Sequence, residues 1–385
     1  MFILENPYVS DLMLETLEKN QYEVLDTNVA RDWNNKRFNL NFIDNSFALK
    51  KYEQKQKIYS NSENSVSFVT GNFKGSNLAE IIKICKDKYE FRNRLMPIYP
   101  NFFFEEVLLE DLENLDITEY QMPFIIKPTV GFLSMGVHKV STVEQWFETV
   151  LQIKSEIADF TKNFPETVLN SSSFIIEEII KGEEFAIDAY YTDNGEPVIL
   201  NIFQHPFVNG DDVSDRAYIS SKEIIESNIS QFEELLSKIG KLIDMKDFPM
   251  HIEVIKKQNG EIIPVEINPM RCAGWCTTDL AYYAYGINIY EHFEKNLKPD
   301  WENILKDKSG KIYYFAITEN PQDVDQNTML VDYKNLKENF SKILEFREID
   351  YKTKPVSAII FGETENYQEI TKILQLDMHN YISSN

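Results

Sequence analysis

Residues 249–271 hold two apolar-alternating runs on either side of Asn259-Gly260, a dipeptide suited to the positive φ values of a tight hairpin turn. A two-residue turn there sets Gln258 opposite Glu261, and antiparallel pairing then carries Glu253 opposite Glu266. Asn268 lies two residues further on and points to the same face. Directly opposed side chains have Cβ atoms about 4.5–5.5 Å apart, where two carboxylates repel unless a cation lies between them. A hard divalent cation with oxygen ligands resolves that conflict, and Mg²⁺ held together with phosphate groups fits the donor types best. A solvated acidic face on an exposed hairpin is the alternative.

Composition narrows the partners. The chain has 385 residues, 43% hydrophobic and 26% charged, enough for two or three domains with a sizeable core. Its formal net charge of −23 argues against nucleic acid or an anionic membrane surface. An acidic chain that handles polyphosphate needs a local concentration of Lys and Arg. No apolar run reaches transmembrane length, and the N-terminus has no basic flank or cleavage site of a secretory signal. Cys85, Cys272 and Cys276 are too sparse for a disulfide framework, so a reducing, cytoplasmic compartment is expected. Cys272 and Cys276 lack further ligands at zinc spacing and read as small buried residues.

Along the chain, residues 1–82 read as a small α/β domain. It has strands at Met1–Leu4, Glu23–Leu25 and Val66–Thr70, and a helix over Leu78–Cys85 capped by Asn77. No Gly-x-Gly-x-x-Gly follows the first strand, so nothing supports a dinucleotide site there. Lys83, Lys86, Lys88, Arg92 and Arg94 form the densest basic cluster, which is either a phosphate site or a helix face balancing nearby acids. Residues 123–140 read as strand, glycine loop, strand. Lys127 ends the first strand, and Gly131, Ser134 and Gly136 lie in the loop, whose N–H groups suit phosphate oxygens. A helix follows over Val143–Phe160. Phe174–Ile180 is an apolar strand interrupted by Glu177 and Glu178 and followed by Glu183 and Glu184. Hairpin strands follow at Glu184–Thr192 and Pro197–Gln204, then an irregular polar segment with Asp211, Asp212, Asp215 and Arg216. The segment after Arg271 leads into an aromatic helix that Thr277 or Thr278 would cap. Residues 301–385 read as an appended α/β piece, with strands near Ile312–Ile317, Thr328–Tyr333 and Val356–Phe361 and a final helix near Tyr367–Leu374.

In this order, basic helix, Lys strand with glycine loop, Glu-Glu-x-x-x-Gly-Glu-Glu and Glu-x-Asn-Pro hairpin, the chain resembles the ATP-grasp superfamily over about residues 83–290. The resemblance implies an α/β (α+β) ATP-grasp fold. A Rossmann-like domain over 1–82 would precede a grasp domain over 83–300 with its lid at about 120–183, and an α/β extension over 301–385 would follow. It implies ATP bound between two antiparallel sheets with Mg²⁺ or Mn²⁺. Lys88 and Lys127 resemble the phosphate-binding lysines, and Ser134 and Gly136 the lid loop. Glu177 resembles the acceptor from the adenine amino group, with Glu178 and Ile180 offering backbone to the ring, and Glu184 the ribose acceptor. Glu253, Glu266 and Asn268 resemble the metal ligands. Arg271 resembles the arginine that stabilises the transferring phosphoryl group. Many members place it two residues after the Asn, whereas Met270 intervenes here, and Arg216 is the alternative. The implied chemistry is ATP-dependent activation of a small-molecule carboxylate as an acylphosphate and its capture by an amine, with a homodimer as candidate assembly. A carboxylase or phosphotransferase on the same site and a non-catalytic nucleotide sensor are the competing readings.

Overall fold

The computed structural model describes residues 1–53, 56–131, 136–163, 170–206 and 216–384. Strands β1 (Phe2–Ile3), β2 (Glu23–Leu25), β3 (Asn41–Ile43) and β4 (Tyr59–Ser60) form a parallel sheet in the order β3-β2-β1-β4. The strand order reverses between β1 and β4, the place where open α/β sheets receive ligands beyond their strand ends. Val66–Thr70 is not the expected strand. It lies within the helix Val66–Asn72, where Val66, Val69 and Phe73 fall on one face and pack into the core, so helical spacing overrides the β-branched composition. The next helix, Asn77–Lys86, is capped by the Ser76 side chain rather than by Asn77.

A second, antiparallel sheet comprises β5 (Phe104–Leu108), β6 (Phe124–Val130), β7 (His138–Val140) and β8 (Asn170–Glu178) in the order β5-β8-β6-β7. It has its own apolar core around Phe124, Ile126, Trp146, Val150, Phe174 and Ile176. This sheet, which carries the expected lid and is termed the lid sheet, also includes Phe104–Leu108, because β5 pairs with β8.

The third sheet continues with β9 (Glu183–Tyr191), β10 (Pro197–Gln204), β11 (Ala217–Ser221), β12 (Phe248–Lys256), β13 (Ile262–Pro269), β14 (Ile312–Glu319), β15 (Ile343–Glu348) and β16 (Val356–Thr364). All its pairings are antiparallel, in the order β13-β12-β9-β10-β11-β14-β16-β15. Three of the C-terminal strands therefore join the central sheet, β14 pairing along β11 to extend it, while Met329–Val331 pairs with Ile382–Ser384 in a small separate sheet. Ile343–Glu348 is a strand the sequence pattern did not suggest. One continuous core joins the N-terminal sheet to the central one through residues such as Phe2, Tyr59, Tyr190 and Phe293. No helix among the described residues is long and apolar enough to cross a membrane.

Between the lid sheet and the central sheet the chain passes through Lys181-Gly182. A Cβ on Gly182 would lie 2.2 Å from the Lys256 carbonyl oxygen, so only glycine lets the linker cross β12 this closely.

Candidate active site

The β12–β13 hairpin places Glu253 directly opposite Glu266 and His251 opposite Asn268, but not by the expected route. Lys257 N–H donates to Glu261 O at 2.8 Å and Gly260 N–H to Lys257 O at 2.9 Å, so the loop holds three residues, with Gly260 at φ 85. That arrangement is the next commonest hairpin connection. The resulting one-residue slip is undone at Val265, where the register shifts between Glu253 and Val254. Pro264 has no N–H for the ladder and lies beside this bulge on the edge strand, where proline is tolerated.

One face of the hairpin packs Ile252, Val254 and Ile267 into the interior. The other carries Glu253, Glu266 and Asn268, with Asn268 Nδ2 3.4 Å from Glu266 Oε1. On the same face His251 Nδ1 pairs with buried Asp188 Oδ1 at 2.8 Å, and its Nε2 lies 3.9 Å from Glu253 Oε1. Two carboxylates and an amide oxygen on one rigid hairpin suit Mg²⁺, which keeps further positions for water and phosphate.

The helix Lys88–Leu95 is wedged between this hairpin and the lid sheet. Asp87 caps it, accepting from the Tyr89 and Glu90 N–H groups. Lys88 Nζ lies 3.8 Å from Glu266 Oε2 and donates to Gly131 O at 3.3 Å. Burial lowers the Lys88 ammonium below its ordinary pKa, with Glu266 opposing. Four residues on, Arg92 reaches Glu177 on β8 and the Pro264 carbonyl on β13. Of the basic cluster, Lys83 stays at the surface with Glu80, while Lys86, Lys88 and Arg92 turn inward. The cluster is thus part site and part surface.

Glu177 is engaged by two cations. Its carboxylate is 4% exposed and is held by Arg92 Nε on one oxygen and by Lys127 Nζ at 2.6 Å on the other. Burial alone would raise its pKa, but Arg92 and Lys127 outweigh that and hold it at about 2. Glu177 thereby holds Lys127 in place. Lys127→Ala is expected to weaken ATP binding about tenfold or more by loss of a charge-assisted contact. Titration calorimetry with a Mg²⁺–ATP analogue reads this, and an unchanged affinity removes Lys127 from the phosphate site.

Glu178 accepts from Phe103 N–H at 3.3 Å. Glu184, at the start of β9, pairs with His205 Nδ1 at 3.1 Å. Gly136 has φ 71 beside the Pro128 ring. Ser134 lies outside the described residues, as do Asp211, Asp212 and Asp215.

The two candidate arginines separate clearly. Arg216 donates to Leu374 O at 3.3 Å and lies 3.8 Å from Glu319, so its contacts are with the C-terminal strands and helix. Arg271 donates to Glu63 Oε1 at 2.8 Å and to Cys272 O at 3.0 Å. Burial opposes its charge, but Glu63, then Glu266 and Glu253, raise its pKa. Glu63 also holds Lys86. Its own carboxyl, which burial would raise, is brought to about 2 by Arg271 and Lys86. Sequence reasoning missed Glu63, which sits in a polar stretch with no period; its only signal is three-dimensional. Thr277 and Thr278 do not cap the aromatic helix Leu280–Tyr285, because Asp279 occupies the cap position without a side-chain bond and Thr277 Oγ1 donates to Gly274 O at 2.8 Å. Of the aromatics there, Tyr285 belongs to the core and Tyr282 to the surface.

Residues 120–279 match the ATP-grasp domain family. The chain is 22% identical over 270 residues to the L-arginine-specific L-amino acid ligase of Bacillus subtilis, covering 67% of this chain. It spans 62% of the length of that curated relative. Among solved structures it is similar to L-amino acid ligase from Bacillus licheniformis (TM-score 0.68, 15% identity, 100% of this chain and 97% of that one). It is also similar to biotin carboxylase from Campylobacter jejuni (TM-score 0.65, 14% identity, 100% and 92%). Residues 120–279 are thus similar to the ATP-grasp domain family, and the whole chain shares the fold of these solved structures.

Proposed function

We propose that the protein is an ATP- and Mg²⁺-dependent ligase that joins a small-molecule carboxylate to an amine, releasing ADP and phosphate. The observation carrying this reading is the placement of Lys88 and Arg271 beside the Glu253–Glu266 pair, with Lys127, held by Glu177, close enough to Lys88 to act on its charge. Glu253, Glu266 and Asn268 would hold Mg²⁺, which when bound neutralises phosphate charge and polarises the γ-phosphoryl group.

The residues of this chain do the rest by position and charge. Lys88 and Lys127 bind phosphate oxygens, and Arg271 stabilises the charge on the phosphoryl group in flight. A substrate carboxylate oxygen attacks the γ-phosphorus, the bond to the β-phosphate oxygen breaks, and ADP leaves. The amine then attacks the acyl carbon and phosphate departs, with the amine proton passing to solvent. No protein nucleophile is required.

Similarity to two L-amino acid ligases favours amino acids as both carboxylate and amine. The three cysteines are free and buried, which suits a reducing cytoplasm. An ADP-release screen over amino acids, singly and in pairs with Mg²⁺, tests the reading. A productive pair is expected to yield a hydroxamate when hydroxylamine replaces the amine. ADP release that never gives hydroxamate would favour a phosphotransferase instead.

A further inference from the structure

Arg271 stands one residue later than the family resemblance implies, because Met270 intervenes, and the structure contains the device that accommodates the extra residue. Met270 takes the left-handed conformation, φ 64, a costly state for a side chain of this kind unless its surroundings fix it. They do: Met270 is fully buried, and its carbonyl accepts from Ser60 N–H at 2.9 Å. On the other side of Arg271, the Cys272 N–H donates to the Tyr59 hydroxyl at 3.4 Å. Both residues of β4 therefore grip the backbone flanking Arg271. The guanidinium itself is held three residues after β4, by Glu63.

The corner that carries Glu63 is itself fixed. Asn61 Nδ2 donates to the Glu5 and Tyr8 carbonyls, each at 2.7 Å. Ser60 Oγ donates to Ile3 O at 3.2 Å and Ser62 O at 2.9 Å. The Ser62 hydroxyl accepts from Asn64 N–H at 3.2 Å. Lys86, from the helix Asn77–Lys86, takes the second Glu63 oxygen. This corner stands at the point where the N-terminal sheet reverses strand order.

We propose that the β4 corner of the N-terminal domain is part of the active site, with Glu63 as the positioning residue that aims the Arg271 guanidinium at the metal-ligating hairpin. The sheet that precedes the grasp domain thereby completes the phosphoryl-transfer machinery. A positioned guanidinium is worth far more to a transition state than a mobile one, because no reorganisation is needed as charge develops. The kinetic part of this inference rests on the ligase reading; the geometric part does not.

The test pairs two measurements on Glu63→Gln, which keeps the shape and one acceptor but removes the charge. In ADP release, kcat is expected to fall about tenfold or more while KM for ATP stays within about twofold. Glu63→Asp, which keeps the charge one methylene short, is expected to recover part of the loss. In a crystal structure of Glu63→Gln, the Arg271 guanidinium is expected to lose its single fixed position. An unchanged kcat, or a guanidinium still in place, overturns the proposal. If the wild-type protein releases no ADP with any carboxylate, the ligase reading fails, and the crystallographic measurement alone decides the role of Glu63. Should Glu63→Gln not fold, both measurements pass to Glu63→Asp, for which a smaller kcat loss and a shifted guanidinium are expected.

Discussion

Glu266→Ala is expected to abolish ADP formation, lowering the rate by about a hundredfold or more, while the protein stays folded. The first half follows from charge. Glu253 and Glu266 are the two carboxylates of the proposed ligand face, directly opposed across the hairpin, and removing one would leave a bound Mg²⁺ with a single anionic protein ligand. Loss of a directly ligating group costs more than the ten- to hundredfold typical of groups one layer further out. The second half follows from the surroundings. Glu266 is half-buried on an edge strand, and its recorded partners are Asn268 at 3.4 Å and Lys88 at 3.8 Å, neither close enough to be a strong contact. Stability should therefore change by no more than about 1 kcal/mol. ADP release read beside a thermal melt separates the two effects. Full activity in the folded variant would sink the metal assignment.

That the hairpin was legible in the sequence owes something to compensation. Asn259-Gly260 signalled the turn and the alternation signalled the strands, yet the turn holds three residues instead of two. Taken alone, that change would have moved Glu266 out of register with Glu253. The bulge at Val265 restores it, and Pro264 was the one residue in the run that hinted at irregular pairing. Local pattern is a dependable guide where one face is buried, because a register slip would drive Ile267 to solvent and Glu266 into the core.

The places of Lys88, at a helix start, and of Lys127, on a strand, were legible, although Lys127 does not end that strand, which runs on through Pro128 to Val130. Glu63 and Arg92 were not. Their roles come from side chains meeting across long separations, Glu63 with Arg271 and Arg92 with Pro264, and no sequence period encodes such a meeting. Glu177 shows the limit from the other side. Its strand was legible, but its pairing with two cations depends on what the neighbouring helix brings. The C-terminal strands were read as an appended piece because a strand joining a sheet at β11 looks, in sequence, like a strand starting a new one.

The largest stability effect is expected from Glu177→Gln, which should cost roughly 3–5 kcal/mol at neutral pH. The substitution keeps the shape but leaves Arg92, 3% exposed, and Lys127, 8% exposed, as buried cations without their shared anion. The cost must also depend on pH in a definite direction. The Glu177 carboxyl titrates at about 2 in the folded protein against an ordinary value of 4.5. A depressed pKa contributes stability that is fully present above the unfolded value and is lost as pH falls toward the folded one. The gap between wild type and Glu177→Gln in urea unfolding should therefore be constant from neutral pH to about 5 and shrink between pH 4.5 and 2. A gap that does not change over that window would mean the loss comes from packing rather than charge. Adding Lys127→Met to Glu177→Gln should then recover part of the stability, since one of the two stranded cations is gone. If the second substitution only adds to the damage, Glu177 is not the anchor of Lys127, and Arg92 alone accounts for the buried charge.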